Sequence, residues 1–136
     1  MSERKKPLWD LHETPDGYLP VSETAFRRKM LEWEKRDWSA WLGHALTFPF
    51  PAIRIDDSYD AFFREDLQEQ PFRLDHEMEV TGLLDEDPDY GVLVSVREGA
   101  AESDVPLADL EVHSEEDTNY WPVREYVLWF ANREGF

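Results

Sequence analysis

The sequence predicts an α+β fold, a small twisted antiparallel sheet or SH3-like partial barrel flanked by an N-terminal and a C-terminal helix. Three observations support this prediction. Apolar residues recur at helical spacing over residues 22–46, the spacing changes to a period of two after residue 77, and helical spacing returns over residues 122–133. A chain of 136 residues without an internal repeat is long enough for one domain with its own core.

The first 20 residues are predicted to form an extended arm. They mix charged residues with three prolines, and Pro15-Asp16-Gly17 is a typical turn sequence. Residues 21–136 then form a single domain. Four apolar side chains are expected to attach the arm to this domain: Trp9, Leu11, Tyr18 and Leu19.

One long helix is predicted over residues 22–46, with Ser22 as its N-cap. Pro49 and Pro51 end it, because proline cannot continue the helical hydrogen-bond ladder. A short strand follows over residues 52–55. The polar residues up to 70 are expected to form an inserted loop with a helical turn around 61–67.

Three strands are predicted in the second half of the chain. Met78 and Val80 define the first, and the alternation of Val92, Val94 and Val96 defines the second. The third covers residues 105–112, and Pro106 favours an edge position for it. A closing helix from Pro122 is expected to pack onto this sheet.

Charge excludes several classes of function. The 31 acidic residues against 14 basic ones give a net charge of −17, which repels nucleic-acid phosphates and anionic lipid surfaces. We therefore expect no nucleic-acid and no membrane partner, whereas cations and basic proteins are plausible partners. The sequence contains no cysteine, no apolar stretch of about 18 residues and no signal-peptide pattern, so a cytoplasmic location is expected.

Clustered acidic residues supply the oxygen ligands of which calcium takes about six to eight, although acidic turns are usually only solvated. The first candidate site is a tight acidic turn with the ligands Asp85, Glu86, Asp87 and Asp89. The second repeats the spacing of calcium loops with Asp56, Asp57 and Asp60. A weaker third segment, residues 115–117, precedes the final helix. The first two segments lack the glutamate that an EF-hand requires at its twelfth position.

Catalysis is not expected. The four histidines are scattered, and none lies in an HExxH arrangement or in another paired spacing that a catalytic metal would need. The chain has no glycine-rich phosphate loop either. An enzyme would need a concave pocket with convergent polar groups, which a sequence does not reveal.

Seven motifs, taken in their order along the chain, resemble the small acidic bacterial calcium-binding protein family, which is not of the EF-hand type. The resemblance covers about residues 38–133. Its motifs are Trp41-Leu42, Phe48-Pro49-Phe50-Pro51-Ala52, Val80-Thr81-Gly82-Leu83, residues 90–96, residues 106–112, Asn119-Tyr120 and residues 127–133.

The resemblance implies a single domain that binds calcium without catalysis, as a buffer or a sensor. The matched motifs explain the fold, with Asp109 and Glu111 expected to cap or pair within the sheet, so the metal ligands are predicted from the density of carboxylates instead. Calcium should relieve their mutual repulsion and so stabilise the fold. The alternative function is an acidic protein-interaction module that docks a basic partner, of which a DNA mimic is one version.

Overall fold

A five-stranded antiparallel sheet, preceded by two helices and followed by one, forms the body of the protein. The computed structural model describes residues 7–14, 17–20, 22–55 and 71–133. Its elements in chain order are β1 (Leu11–Thr14), β2 (Gly17–Pro20), α1 (Glu23–Glu34), α2 (Trp38–Ala45), β3 (Phe50–Arg54), β4 (Glu77–Asp87), β5 (Gly91–Glu98), β6 (Ala101–Pro106), β7 (Leu110–Glu111) and α3 (Tyr120–Asn132). The α+β prediction is confirmed.

The order of strands shows that the sheet is bent into a partial barrel. Neighbouring strands are paired in the order β6-β5-β4-β3-β7, so β6 and β7 lie at opposite edges. Only the short 3₁₀ turn Leu107–Asp109 joins them. Four residue steps span at most about 14 Å, whereas four strand spacings in a flat sheet span about 19 Å. The two edges must therefore approach each other.

The N-terminal helical segment is two helices, so the prediction of one helix over residues 22–46 was wrong. Ser22 caps α1 as expected, through its Oγ and the N–H of Ala25. A second N-cap then begins α2, because the Asp37 carboxylate accepts a hydrogen bond from the Ala40 N–H at 3.2 Å. The buried Trp38 indole donates to the Trp33 carbonyl at the end of α1, which fixes the break.

The strand bounds differ from the predicted ones at both edges of the sheet. β3 begins at Phe50 and includes Pro51, which is tolerated because β7 pairs only with Ile53 and Arg54 further along β3. The predicted strand over residues 105–112 is split by the 3₁₀ turn. Pro106 does lie on an edge strand, as expected, paired with Leu93.

The core fills the space between the sheet and the helices. The closing helix packs onto this core as predicted, and it begins two residues before Pro122. The most deeply buried large side chains are Trp33, Tyr126, Met30, Leu42, Leu107, Leu110, Val80, Val92, Val94, Val96 and Val123.

In the N-terminal arm, β1 and β2 pair antiparallel, with Leu11 opposite Pro20 and Thr14 opposite Gly17. Trp9 attaches it to the domain as predicted, since its ring meets those of Trp33 and Trp121 edge to face. Asp10 adds a buried ion pair with Arg124, 2.9 Å from Oδ1 to Nε.

The predicted loop over residues 56–70 lies outside the described residues. None of the described helices is long and apolar enough to cross a membrane.

Candidate calcium site

The acidic turn joins β4 to β5, and the four predicted ligands of the first site lie at this end of the hairpin: Asp85, Glu86 and Asp87 are the last residues of β4. Glu86 is paired with Val92 and Asp87 with Gly91 at the end of the β4–β5 ladder, and Asp89 lies in the turn itself. Asp85, Glu86 and Asp89 are exposed, and Asp87 is half-buried. The predicted tight turn thus lies between two paired strands, and the assignment of these acids as metal ligands stays a prediction.

Asp87 organises the turn through one carboxylate oxygen. Its Oδ1 accepts hydrogen bonds from the N–H groups of Asp89 at 2.7 Å and Tyr90 at 3.0 Å. Gly91 completes the turn with a positive φ of 74°, a conformation in which glycine has no steric cost. The local sequence thus fixes the backbone and leaves Asp89 exposed on the turn.

The side chain of Glu86 lies toward the helices and contacts α2. Val92, its cross-strand partner, is buried beneath the helices, so Glu86 lies on the helix side of the sheet. Its Oε1 accepts a hydrogen bond from the Ser39 Oγ of α2 at 2.6 Å. A β-bulge between Leu83 and Glu86, which includes Asp85, further alters the alternation of side chains at this end of β4.

The acidic turn suits calcium in the type of ligand atoms that it offers. Carboxylates and main-chain carbonyls are the oxygens that calcium prefers, and a bending segment supplies both. No basic side chain in the described part of the chain pairs with Asp85, Asp87 or Asp89. Across those same residues, however, no three acidic or histidine side chains stand close enough together to hold a metal ion. The acids are thus on one turn but do not converge.

The second predicted site, formed by Asp56, Asp57 and Asp60, falls outside the described residues. The residues on both sides of it are anchored to each other by Arg54. The Arg54 backbone bonds to His76 and Asp75, at 3.1 and 2.8 Å, and its guanidinium donates to the Phe72 carbonyl. Residues 55 and 71 are therefore held near one part of the sheet.

Asp109 holds that anchor in place. Arg54 Nη2 and Asp109 Oδ2 are 3.0 Å apart, and both side chains are buried. A charge in the interior must be paired, and here the pair joins the 3₁₀ turn to β3. The expectation that Asp109 pairs within the sheet is confirmed, and its role is structural.

The weaker third segment is also largely structural. Asp117 Oδ1 accepts from the backbone N–H and the side-chain amide of Asn119, at 2.8 and 2.9 Å. Asn119 is buried and makes two hydrogen bonds with the Thr47 backbone, one in each direction. Asp117 therefore orients the residue that joins the start of α3 to the end of α2.

Tyr126 was missed by sequence reasoning, although it connects the acidic turn to α3. Its hydroxyl accepts a hydrogen bond from the Val92 N–H at 2.8 Å. Burial raises the pKa of Tyr126 to about 12, with a smaller contribution from Glu86 in the same direction. In the sequence, Tyr126 appears only as one of several aromatic residues at helical spacing.

Comparison with known proteins identifies the family. No curated protein and no solved structure matches the chain significantly. The family model Calci_bind_CcbP, described as calcium binding, matches residues 31–130. This match includes the whole five-stranded sheet and the acidic turn. It covers well over half of the 136 residues, and the chain therefore belongs to this calcium-binding family.

Proposed function

We propose that the protein binds calcium without catalysis, as a buffer or sensor, through the carboxylates of the β4–β5 turn. The family assignment supports calcium as the ion. The observation that carries the choice of site is that Asp85, Asp87 and Asp89 lie at one end of the β4–β5 hairpin with no basic partner in the described chain. These acids and Glu86 would hold the ion, with main-chain carbonyls and water as further ligands.

Binding at this turn requires the side chains to move toward one another. Asp87 uses Oδ1 for the turn, and Glu86 contacts Ser39 in α2. The repulsion among exposed carboxylates in a chain of charge −17 favours their separation without a cation. Calcium would offset this repulsion when it binds. The turn lies between two strands, which distinguishes the proposed site from the helix–loop–helix of an EF-hand.

The net charge and the scattered histidines support a proposal about location, catalysis and partners. We place the protein in the cytoplasm, without catalytic activity and without a nucleic-acid or membrane partner. The segment containing Asp56, Asp57 and Asp60 remains a second proposed calcium site.

Calorimetric titration of chelator-treated protein with calcium, with excess magnesium as a competitor, tests the proposal. We expect a saturable calcium signal that survives magnesium. Asp87→Asn combined with Asp89→Asn should weaken the affinity at least about tenfold, because it removes two of the charged ligands. The matched control is Glu102→Gln with Asp104→Asn, two exposed acids on β6, which changes the net charge equally.

Two results would contradict parts of this proposal. The absence of any calcium signal down to millimolar affinity would exclude calcium binding by this chain. An unchanged isotherm in the Asp87 and Asp89 variant would exclude this turn as the site. Asparagine substitutions at Asp56, Asp57 and Asp60 would then show whether the ligands lie in that segment.

A further inference from the structure

A solvent-accessible groove lies beside the acidic turn, between the end of the β4–β5 hairpin and the helices. Its volume is about 300 Å³. Four aromatic rings and two acids dominate its lining, namely Trp38, Tyr126, Trp129, Phe130, Glu86 and Asp87. A groove with this composition combines apolar contact area with negative charge.

The aromatic rings form one continuous cluster. Trp38 and Trp129 have ring centroids 5.4 Å apart, and the Tyr126 and Phe130 rings are stacked at 5.8 Å. Tyr126 and Trp38 are buried, and the hydrogen bond from Val92 holds Tyr126 against the hairpin, so these two rings support the half-buried rings of Trp129 and Phe130 at the surface of the groove. Rigid aromatic faces are preferred contact surfaces for cations, because their quadrupoles attract positive charge.

Guanidinium groups of this chain already use these rings. The Arg36 guanidinium lies 4.8 Å from the Trp38 centroid, and that of Arg133 lies 3.6 Å from the Phe130 centroid. Arg133 also lines the groove, where Phe130 is one of the ring walls. The cluster therefore has the chemistry that binds a planar cation, and arginine is the residue that stacks best on such faces.

Two acids favour an arginine side chain as that cation. Glu86 and Asp87 supply negative charge on the hairpin side of the groove. Carboxylates pair with guanidinium groups through charge-assisted hydrogen bonds. An arginine of a partner protein can therefore both stack on the rings and pair with these acids.

We propose that this groove docks a basic segment of a partner protein, with an arginine side chain stacked on the aromatic cluster and paired with Glu86 and Asp87. The net charge of −17 favours the approach of such a segment, and the groove determines where it binds. The groove shares Glu86 and Asp87 with the proposed calcium site, so the proposal concerns the calcium-free protein.

A pair of matched peptides tests the proposal. One is a capped peptide with two arginines between glycines, and the other carries citrulline in their place, which has a similar shape but no charge. We expect saturable calorimetric binding of the arginine peptide to the full chain in chelator at about 0.15 M salt, where long-range attraction is screened. The citrulline peptide should bind at least about fivefold more weakly.

Matched variants locate the binding site. Glu86→Gln with Asp87→Asn should weaken the binding of the arginine peptide at least about fivefold. Glu102→Gln with Asp104→Asn removes the same charge from β6 and should have little effect. Equal binding of the two peptides, or equal weakening by the two variants, would show unspecific attraction to an acidic protein and would overturn the proposal.

A further variant tests whether the aromatic rings contribute to binding of the arginine peptide. Phe130→Leu keeps apolar volume in the groove but removes the ring. It should therefore also weaken the binding of the arginine peptide. If that variant fails to fold, the indole N–H resonance of Trp129 in the unmodified protein remains informative. It should shift as the arginine peptide saturates the groove, and an unmoved resonance at saturation would overturn the proposal.

Discussion

Asp109 and Asp89 carry the same side chain but lie in opposite environments. Asp109 is 1% exposed and pairs with Arg54 in the interior of the sheet. Asp89 is exposed on the β4–β5 turn, and no basic side chain in the described residues reaches it. Asp10, buried against Arg124, resembles Asp109 in this respect. The two aspartates differ in burial and in having an arginine partner, and we propose that exposed carboxylates without such a partner are the ones that bind a cation.

The largest effect is expected from breaking the buried pair. Asp109→Ala leaves the Arg54 guanidinium buried without its carboxylate, and the free energy of unfolding should fall by about 3 to 5 kcal/mol. Urea denaturation at neutral pH measures this change.

The matched control for Asp109 is Asp104→Ala, which removes an exposed aspartate from the edge strand β6. The free energy of unfolding of this control should change by no more than about 0.5 kcal/mol. If both variants lose similar stability, the distinction between buried and exposed aspartates is wrong.

An intermediate effect is expected at Tyr126, which connects the acidic turn to α3. Its pKa is raised by burial to about 12 from an ordinary value of 10, so the native state favours the neutral phenol. The stability from this preference is fully present below pH 10 and is lost as pH rises toward 12. The loss amounts to about 2 to 3 kcal/mol.

Denaturation at several alkaline pH values measures the contribution of Tyr126. Tyr126→Phe should lower stability at neutral pH by about 1 kcal/mol, because the Val92 N–H loses its acceptor. The same variant should show a shallower loss of stability between pH 10 and pH 12. A pH dependence identical to that of the unmodified protein would mean that Tyr126 does not titrate in this range.

The sequence predicted most of the fold because most of it depends on local patterns. The alternation in Val92, Val94 and Val96 and the helical spacing after Pro122 both correspond to elements of the structure. The break between α1 and α2 was missed, although Asp37 just before an apolar helical segment is a usable N-cap signal. The split of the last strand depends on how far the sheet bends, which no local pattern encodes.

The candidate site was predictable only in part, for a related reason. The density of acids identified the turn at Asp85–Asp89 without any partner information. The Arg54–Asp109 pair joins residues 55 positions apart, and only the fold brings them together. Sequence reasoning can therefore find acids that are exposed in a turn, but it cannot tell which acids elsewhere have an arginine partner.

The smallest effect on the metal-free protein is expected at the acidic turn. Asp87→Asn with Asp89→Asn should change stability in chelator by no more than about 0.5 kcal/mol. Asparagine keeps the Oδ1 acceptor that the turn needs, and the loss of two negative charges reduces repulsion. The same variant should lose the stabilisation by calcium, which would reach about 2.7 kcal/mol at a hundredfold excess over the dissociation constant.

Thermal and urea denaturation, each in chelator and in calcium, separate these two contributions. The Glu102→Gln and Asp104→Asn control should retain the full calcium-induced shift, because those acids lie on β6. If the Asp87 and Asp89 variant also retains it, the exposed turn is not the calcium site. The comparison with Asp109 would still hold for stability, but lack of an arginine partner would no longer be sufficient to identify a metal ligand. Asp56, Asp57 and Asp60 would then be the next acids to substitute.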